Sequence, residues 1–117
     1  MQTDVMEALA AGISTGAYDG LERYFTPDFV LHDPRTPDWP RGIEGARRMI
    51  ASFRALGDDV RLNILDMTED ADKVAVRWAC SWRRDGVTDT ASIIAIYRFA
   101  DGLIAEDWGI GVRAAWP

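Results

Sequence analysis

A chain of 117 residues, 48% hydrophobic and 27% charged, has the make-up of a single folded domain with its own core, which excludes intrinsic disorder. Its formal charge of −6 repels a phosphate backbone, so nucleic-acid binding has no electrostatic footing. One cysteine (Cys80) and one histidine (His32) leave no intramolecular disulfide and no Cys/His zinc site, and metal chemistry is not expected.

The N-terminal MQTDVMEALAAGIST is acidic where a secretory signal is basic, and no apolar run approaches the ~20 residues of a membrane span; a cytoplasmic protein without membrane contact is expected. Val5, Met6, Leu9, Ala10 and Ile13 recur at helical spacing and predict a first helix, stopped by STGAYDG. Leu21, Tyr24 and Phe25 predict a shorter second helical segment that Thr26-Pro27-Asp28 ends, followed by an extended piece over Phe29–His32. DPRTPDWP is a connecting loop. From Gly42 to Leu56, Ile43, Ala46, Met49, Ile50 and Phe53 keep i, i+3, i+4 spacing and predict a third helix closed by Gly57.

Beyond it the period becomes two. Strands are predicted over 60–68, 73–84, 87–99 and 103–113, separated by EDAD, DG and ADG turns. Helices followed by an antiparallel meander predict an α+β domain spanning 1–117, with a curved sheet wrapped around a helix. In 73–84 one face carries Val74, Val76, Trp78, Cys80 and Trp82. In the last strand, Ala105, Asp107, Gly109 and Gly111 alternate against Ile104, Glu106, Trp108 and Ile110. Small residues beside a carboxylate point to a cavity walled by Asp107, where a packed core would place branched side chains. Alternatively, Gly109 and Gly111 only let the strand bend.

The order of elements, with YFTPDFVLHDP, RGIEGARRMIASF and IYRFADGLIAEDW, resembles the NTF2-like superfamily, in particular its ketosteroid-isomerase and polyketide-cyclase (SnoaL-like) branches. The resemblance implies a cone-shaped α+β barrel, cystatin-like in outline, with N-terminal helices packed on a strongly curved antiparallel sheet over one deep apolar pocket. It places a general base on Asp33, a pocket-lining histidine on His32 and a polar pocket residue on Asp107. It sets the pocket wall on Met49, Trp78, Cys80 and Trp82, with Trp39, Phe53 and Ala95 completing the lining and Tyr24 or Tyr97 as hydroxyl donors. It also implies a homodimer through the outer sheet face, where Ile94, Ile96 and Trp108 fall.

The chain departs from the isomerases where they carry their oxyanion donors: Leu9 and Ala95 replace the tyrosine and the protonated aspartic acid. Losing such a donor typically costs ~3–4 kcal/mol. The chemistry open to Asp33, Asp107 and His32 is proton transfer on a small apolar carbonyl compound, an isomerisation, cyclisation or dehydration needing no cofactor. Here burial would raise a carboxyl's pKa, with Asp33 as base and Asp107 as acid. A non-catalytic ligand- or partner-binding protein is the alternative, and an epoxide hydrolase of the limonene type ranks lower, because Arg77 and Arg98 alternate away from the pocket. Each residue also has a structural role open to it: Asp33 as turn starter, His32 as strand end, Asp107 paired with a neighbouring arginine, Trp78, Cys80 and Trp82 as core.

Overall fold

The computed structural model spans residues 1–117. Helix α1 (Gln2–Thr15) buries Met6, Leu9, Ala10 and Ile13, the stripe that the 3.6-residue period selects, and ends at Gly16, whose φ of 80° takes the left-handed conformation that terminates helices cheaply. Strand β1 (Phe25–His32) follows, then α2 (Gly42–Arg54), β2 (Asp58–Asp70), β3 (Lys73–Arg84), β4 (Val87–Ala100) and β5 (Leu103–Val112). Asp85-Gly86 and Asp101-Gly102 adopt positive φ at both residues, the geometry of the tight hairpin turns that join β3 to β4 and β4 to β5.

The predicted second helix shrinks to one 3-10 turn over Leu21–Arg23, and the strand starts at Phe25. Thr26-Pro27-Asp28 therefore lies inside β1 instead of ending a helix. Proline is tolerated there because β1 is an edge strand, and its pairing with β5 shifts register between Phe25 and Val30. Phe25 and Phe29 are fully buried and meet edge to face, with ring centroids 4.8 Å apart. Truncating either ring to alanine would cost about 3–5 kcal/mol.

The sheet order is β1-β5-β4-β3-β2. It is mixed where an antiparallel one was expected, since β1 runs parallel to β5 while the other pairs are antiparallel. The sheet curves without closing into a barrel, leaving β1 and β2 as edges; α1 lies against β2 and α2 against β1. Register shifts in β2 and between β4 and β5 interrupt the ladder, as bulges do in bent sheets.

The inner face carries Val74, Val76, Trp78, Cys80 and Trp82, all buried, as the alternation requires. In β5 the alternation fails once. Phe99 pairs with Ile104 and Arg98 with Glu106, so Ala105 is an extra residue; Ile104, expected on the outer face, is fully buried. Beyond Ala105 the period recovers, turning Asp107 inward and Trp108 outward. Residues after β5 fold back over the outer face: Ser92 Oγ donates to the Ala114 carbonyl (2.6 Å), and Trp116 Nε1 donates to the Trp78 carbonyl (2.9 Å) under the Arg77 guanidinium.

Candidate active site

Between the inner sheet face and the two helices lies a cavity of about 470 Å³, lined mainly by apolar side chains. This is the size range of pockets for small organic ligands. Its floor follows from the β4/β5 register, which sets Tyr97 opposite Asp107, Ala95 opposite Gly109 and Ile93 opposite Gly111. The two glycines and Ala95 hold the space open. A Cβ at Gly109 would stand 3.2 Å from Asp107 Oδ1 and 3.3 Å from the Ala95 methyl group. Leu9, Trp39, Met49, Phe53, Trp78 and Trp82 supply walls from the helices, the β1–α2 loop and β3. Trp39 is fixed by its indole N–H, which donates to the Gly45 carbonyl at 3.0 Å.

Asp107 is 5% exposed, and its Oδ1 has no hydrogen-bond partner. A buried, unpartnered carboxylate is costly, so the proton is held to higher pH than on an ordinary aspartate. Burial first, and the negative charge of Asp33 second, push the Asp107 carboxyl up to about 7. Tyr97, its cross-strand partner, accepts a hydrogen bond from Trp78 Nε1 at 3.0 Å, which leaves the phenolic proton available for donation. Burial, then the charge of Asp107, raise the Tyr97 hydroxyl well above its ordinary value, so it stays protonated.

Asp33 lines the same cavity and also starts a turn: its Oδ1 accepts from the Arg35 backbone N–H at 2.9 Å. The Arg35 guanidinium closes on both carboxylate oxygens, at 3.1 and 2.9 Å. These bonds hold Asp33 below the ordinary carboxylate range, the opposite of the upward shift expected from burial. Arg35 falls in the expected connecting loop; its place directly after the Asp33-Pro34 pair, where a turn folds it back, is the signal that was there to find.

Three expected site residues lie elsewhere. His32 follows Leu31 on a strand, so its side chain turns to the opposite face: its Nε2 lies 2.7 Å from Glu106 Oε2, and its ring stacks on Trp108. It borders an adjoining surface groove with Pro37, Arg41 and Trp108, which shares Leu31, Asp33 and Trp39 with the cavity. Glu106 is held below the ordinary range, by Arg98 first and then by His32, completing an outer-face network. Cys80 sits in the core beneath the cavity and does not line it; burial pushes its thiol up to about 11. Tyr24 packs against the core with the Arg23 guanidinium over its ring, also outside the cavity lining.

Missing from the sequence reading was Arg113, just beyond β5, which lines the cavity with its guanidinium 5.4 Å from the centre of the Trp82 ring.

Comparison with known proteins agrees with this architecture. The SnoaL-like domain family matches residues 6–107. No curated protein sequence matches the chain. Among solved structures, TsrD from Streptomyces laurentii shares 25% identity over 93% of this chain and 86% of its own, with a TM-score of 0.79. IdmH, a proposed polyketide cyclase from Streptomyces antibioticus, is 24% identical over 95% and 91%, with a TM-score of 0.77. A SnoaL-like polyketide cyclase from Agrobacterium tumefaciens is 17% identical over 97% and 92%, with a TM-score of 0.78. At such identities the last two speak to the fold, and the family match carries the assignment. A curved sheet closed over by two helices, a cavity holding Asp107, and a family match across most of the length lead to one conclusion: the chain belongs to the SnoaL-like domain family, within the NTF2-like superfamily.

Proposed function

We propose that the protein is a cofactor-free acid/base enzyme that moves a proton next to the carbonyl group of a small, largely apolar compound, as in an isomerisation, an aldol-type cyclisation or a dehydration. The observation that carries this is the unpartnered Oδ1 of buried Asp107 in an apolar cavity, with the Tyr97 hydroxyl across the strand pair. A group that titrates near the working pH is best matched to give and take protons.

In its ionised form Asp107 accepts a proton from the carbon beside the carbonyl. The C–H electron pair becomes the enolate double bond, and the carbonyl oxygen takes the charge. Tyr97 donates its hydroxyl hydrogen to that oxygen, standing in for the donors absent at Leu9 and Ala95, while Trp78 orients the phenol. Neutral Asp107 then returns the proton, either to a different carbon, which shifts the double bond, or to the alkoxide formed when the enolate carbon attacks a second carbonyl. Asp33, kept ionised by Arg35, keeps the proton affinity of Asp107 high and is too weakly basic in this state to be the main base. The outer sheet face, with Ile94, Ile96 and Trp108 exposed, pairs two copies into a homodimer.

The test is exchange of the α-hydrogens of 2-tetralone in deuterated water, followed by proton NMR. The protein should accelerate it, and Asp107→Asn should remove the acceleration. Equal rates for both proteins would leave a ligand-binding role instead.

One observation favours a second chemistry. Asp33, Arg35 and Asp107 put two carboxyls and an arginine on one cavity, the kind of set that activates water against an epoxide in the limonene-type hydrolases. Arg77 and Arg98 pair instead with Asp66 and Glu106. Hydration of a cyclic epoxide, abolished by Arg35→Gln, would mark this alternative.

A further inference from the structure

Arg113 is a cation on the cavity lining that forms no ion pair. The other, Arg35, is committed to both oxygens of Asp33. With Asp107 neutral, Arg113 alone sets the sign of the lining, making it positive in a protein whose formal charge is −6. The Arg113 side chain is exposed, and its guanidinium lies 5.4 Å from the centre of the Trp82 ring on the cavity lining.

The register gives its relation to the reacting group. Asp107, Gly109 and Gly111 are alternate residues of β5 and share a face; Arg113, in the tight turn just beyond Val112, lines the same cavity. Only two glycines intervene, so no side chain interrupts the track from the buried carboxyl to the arginine. Six residues of chain, extended as far as Val112, separate their Cα atoms by on the order of 20 Å.

The geometry points to a ligand that is elongated and apolar and carries an anionic group, a carboxylate, at the end remote from its reacting carbonyl: the carboxylate pairs with Arg113 at the mouth, the ring system lies along Gly111 and Gly109 against Trp78 and Trp82, and the carbonyl reaches Asp107 and Tyr97. Arg113 is thus a specificity-determining residue. An arginine stacked on an indole loses little freedom when it pairs with a carboxylate, which suits it to this role better than a lysine. This rests on the cavity being the ligand site of the proposed acid/base enzyme.

The probes are 6-(4-acetylphenyl)-2-naphthoate, with ketone and carboxylate at opposite ends of a rod long enough to run from Asp107 to Arg113, and its methyl ester. Binding is followed by calorimetry at pH 6, where Asp107 keeps its proton and the carboxylate of the probe is ionised. The acid should bind at least tenfold more tightly than the ester, against the overall charge of the protein. Arg113→Gln should remove this preference, bringing the acid down to the affinity of the ester, and Arg113→Lys should keep part of it. Equal binding of acid and ester, a preference that survives Arg113→Gln, or failure of both probes to bind at millimolar concentration would overturn the proposal. Exchange of the acetyl hydrogens in deuterated water, recorded on the same samples, separates the two claims. A charge preference without exchange leaves Arg113 as an anion anchor and removes the proton-transfer chemistry alone.

Discussion

Asp33 and Asp107 line one cavity, and their surroundings drive their proton affinities apart. Hydrogen bonds from Arg35 hold Asp33 below the ordinary carboxylate range, while burial and the charge of Asp33 lift Asp107 to about 7. Two carboxyls in one space divide into a permanently ionised member and one that can gain or lose a proton near neutrality.

The first consequence is a pH-dependent stability that runs opposite to that of most paired carboxyls. Asp107 binds its proton more tightly folded, at about 7, than unfolded, near 3.8. Its contribution is therefore intact below about pH 4, declines as pH rises toward 7, and stays lost above. Roughly three pH units at 1.36 kcal/mol each put the loss on the order of 4 kcal/mol. Asp33 and Glu106, both lowered, act in the other direction and lose stability only in acid. Thermal melts should show Asp107→Asn gaining on the wild type between pH 5 and 8; a constant difference would mean an ordinary carboxyl at 107.

Activity should separate the two faces of the sheet. Tyr97→Phe removes a donor to the developing oxyanion and should slow ketone exchange by about 10²–10³-fold. His32→Ala breaks only outer-face contacts, with Glu106 and Trp108, and should leave the rate unchanged. A large loss in the histidine variant would place the chemistry in the outer groove.

Filling the floor should close the site without replacing an ionisable group. Gly109→Val places methyl groups against Asp107 Oδ1 and the Ala95 methyl group, and overpacking of this kind costs about 1–3 kcal/mol. The variant should remain folded by circular dichroism while its affinity for 2-acetylnaphthalene falls at least tenfold. Undiminished affinity would put the ligand outside this cavity.

Assembly is testable on its own. Ile94 is 50% exposed in the middle of the outer face, near Ile96 and Trp108, an apolar group that water alone would disfavour. Sedimentation at micromolar concentration should give twice the chain mass, and Ile94→Asp should halve it. A wild-type monomer would contradict the dimer.

Much of this arrangement was legible in the residues. Period-two alternation gave the inner face of β3, and the run of small residues after Asp107 gave the cavity floor. What the sequence hid lies where local pattern is overridden. The bulge at Ala105 returns Ile104 to the core, and only the partner strand shows that an extra residue is present. Phe25 fits a helix as well as a strand by spacing; pairing with β5 decides for the strand. His32 and Asp33 are neighbours in sequence, and the pleat sends them to opposite faces, which separates a pair that reads as one unit. Arg35 lies two residues beyond Asp33, so its pairing is local and was legible in principle: the same turn that positions Asp33 brings its cation back over it.

The central claim, that Asp107 exchanges a proton near neutral pH, is tested most directly by carbon-13 NMR of the aspartate side-chain carboxyls across pH 3 to 9, with Asp107 assigned through Asp107→Asn. Its resonance should titrate near 7, and Asp33→Asn should move that midpoint downward without restoring the ordinary value, since burial is the larger cause. A midpoint near 4 in the wild type would contradict the account.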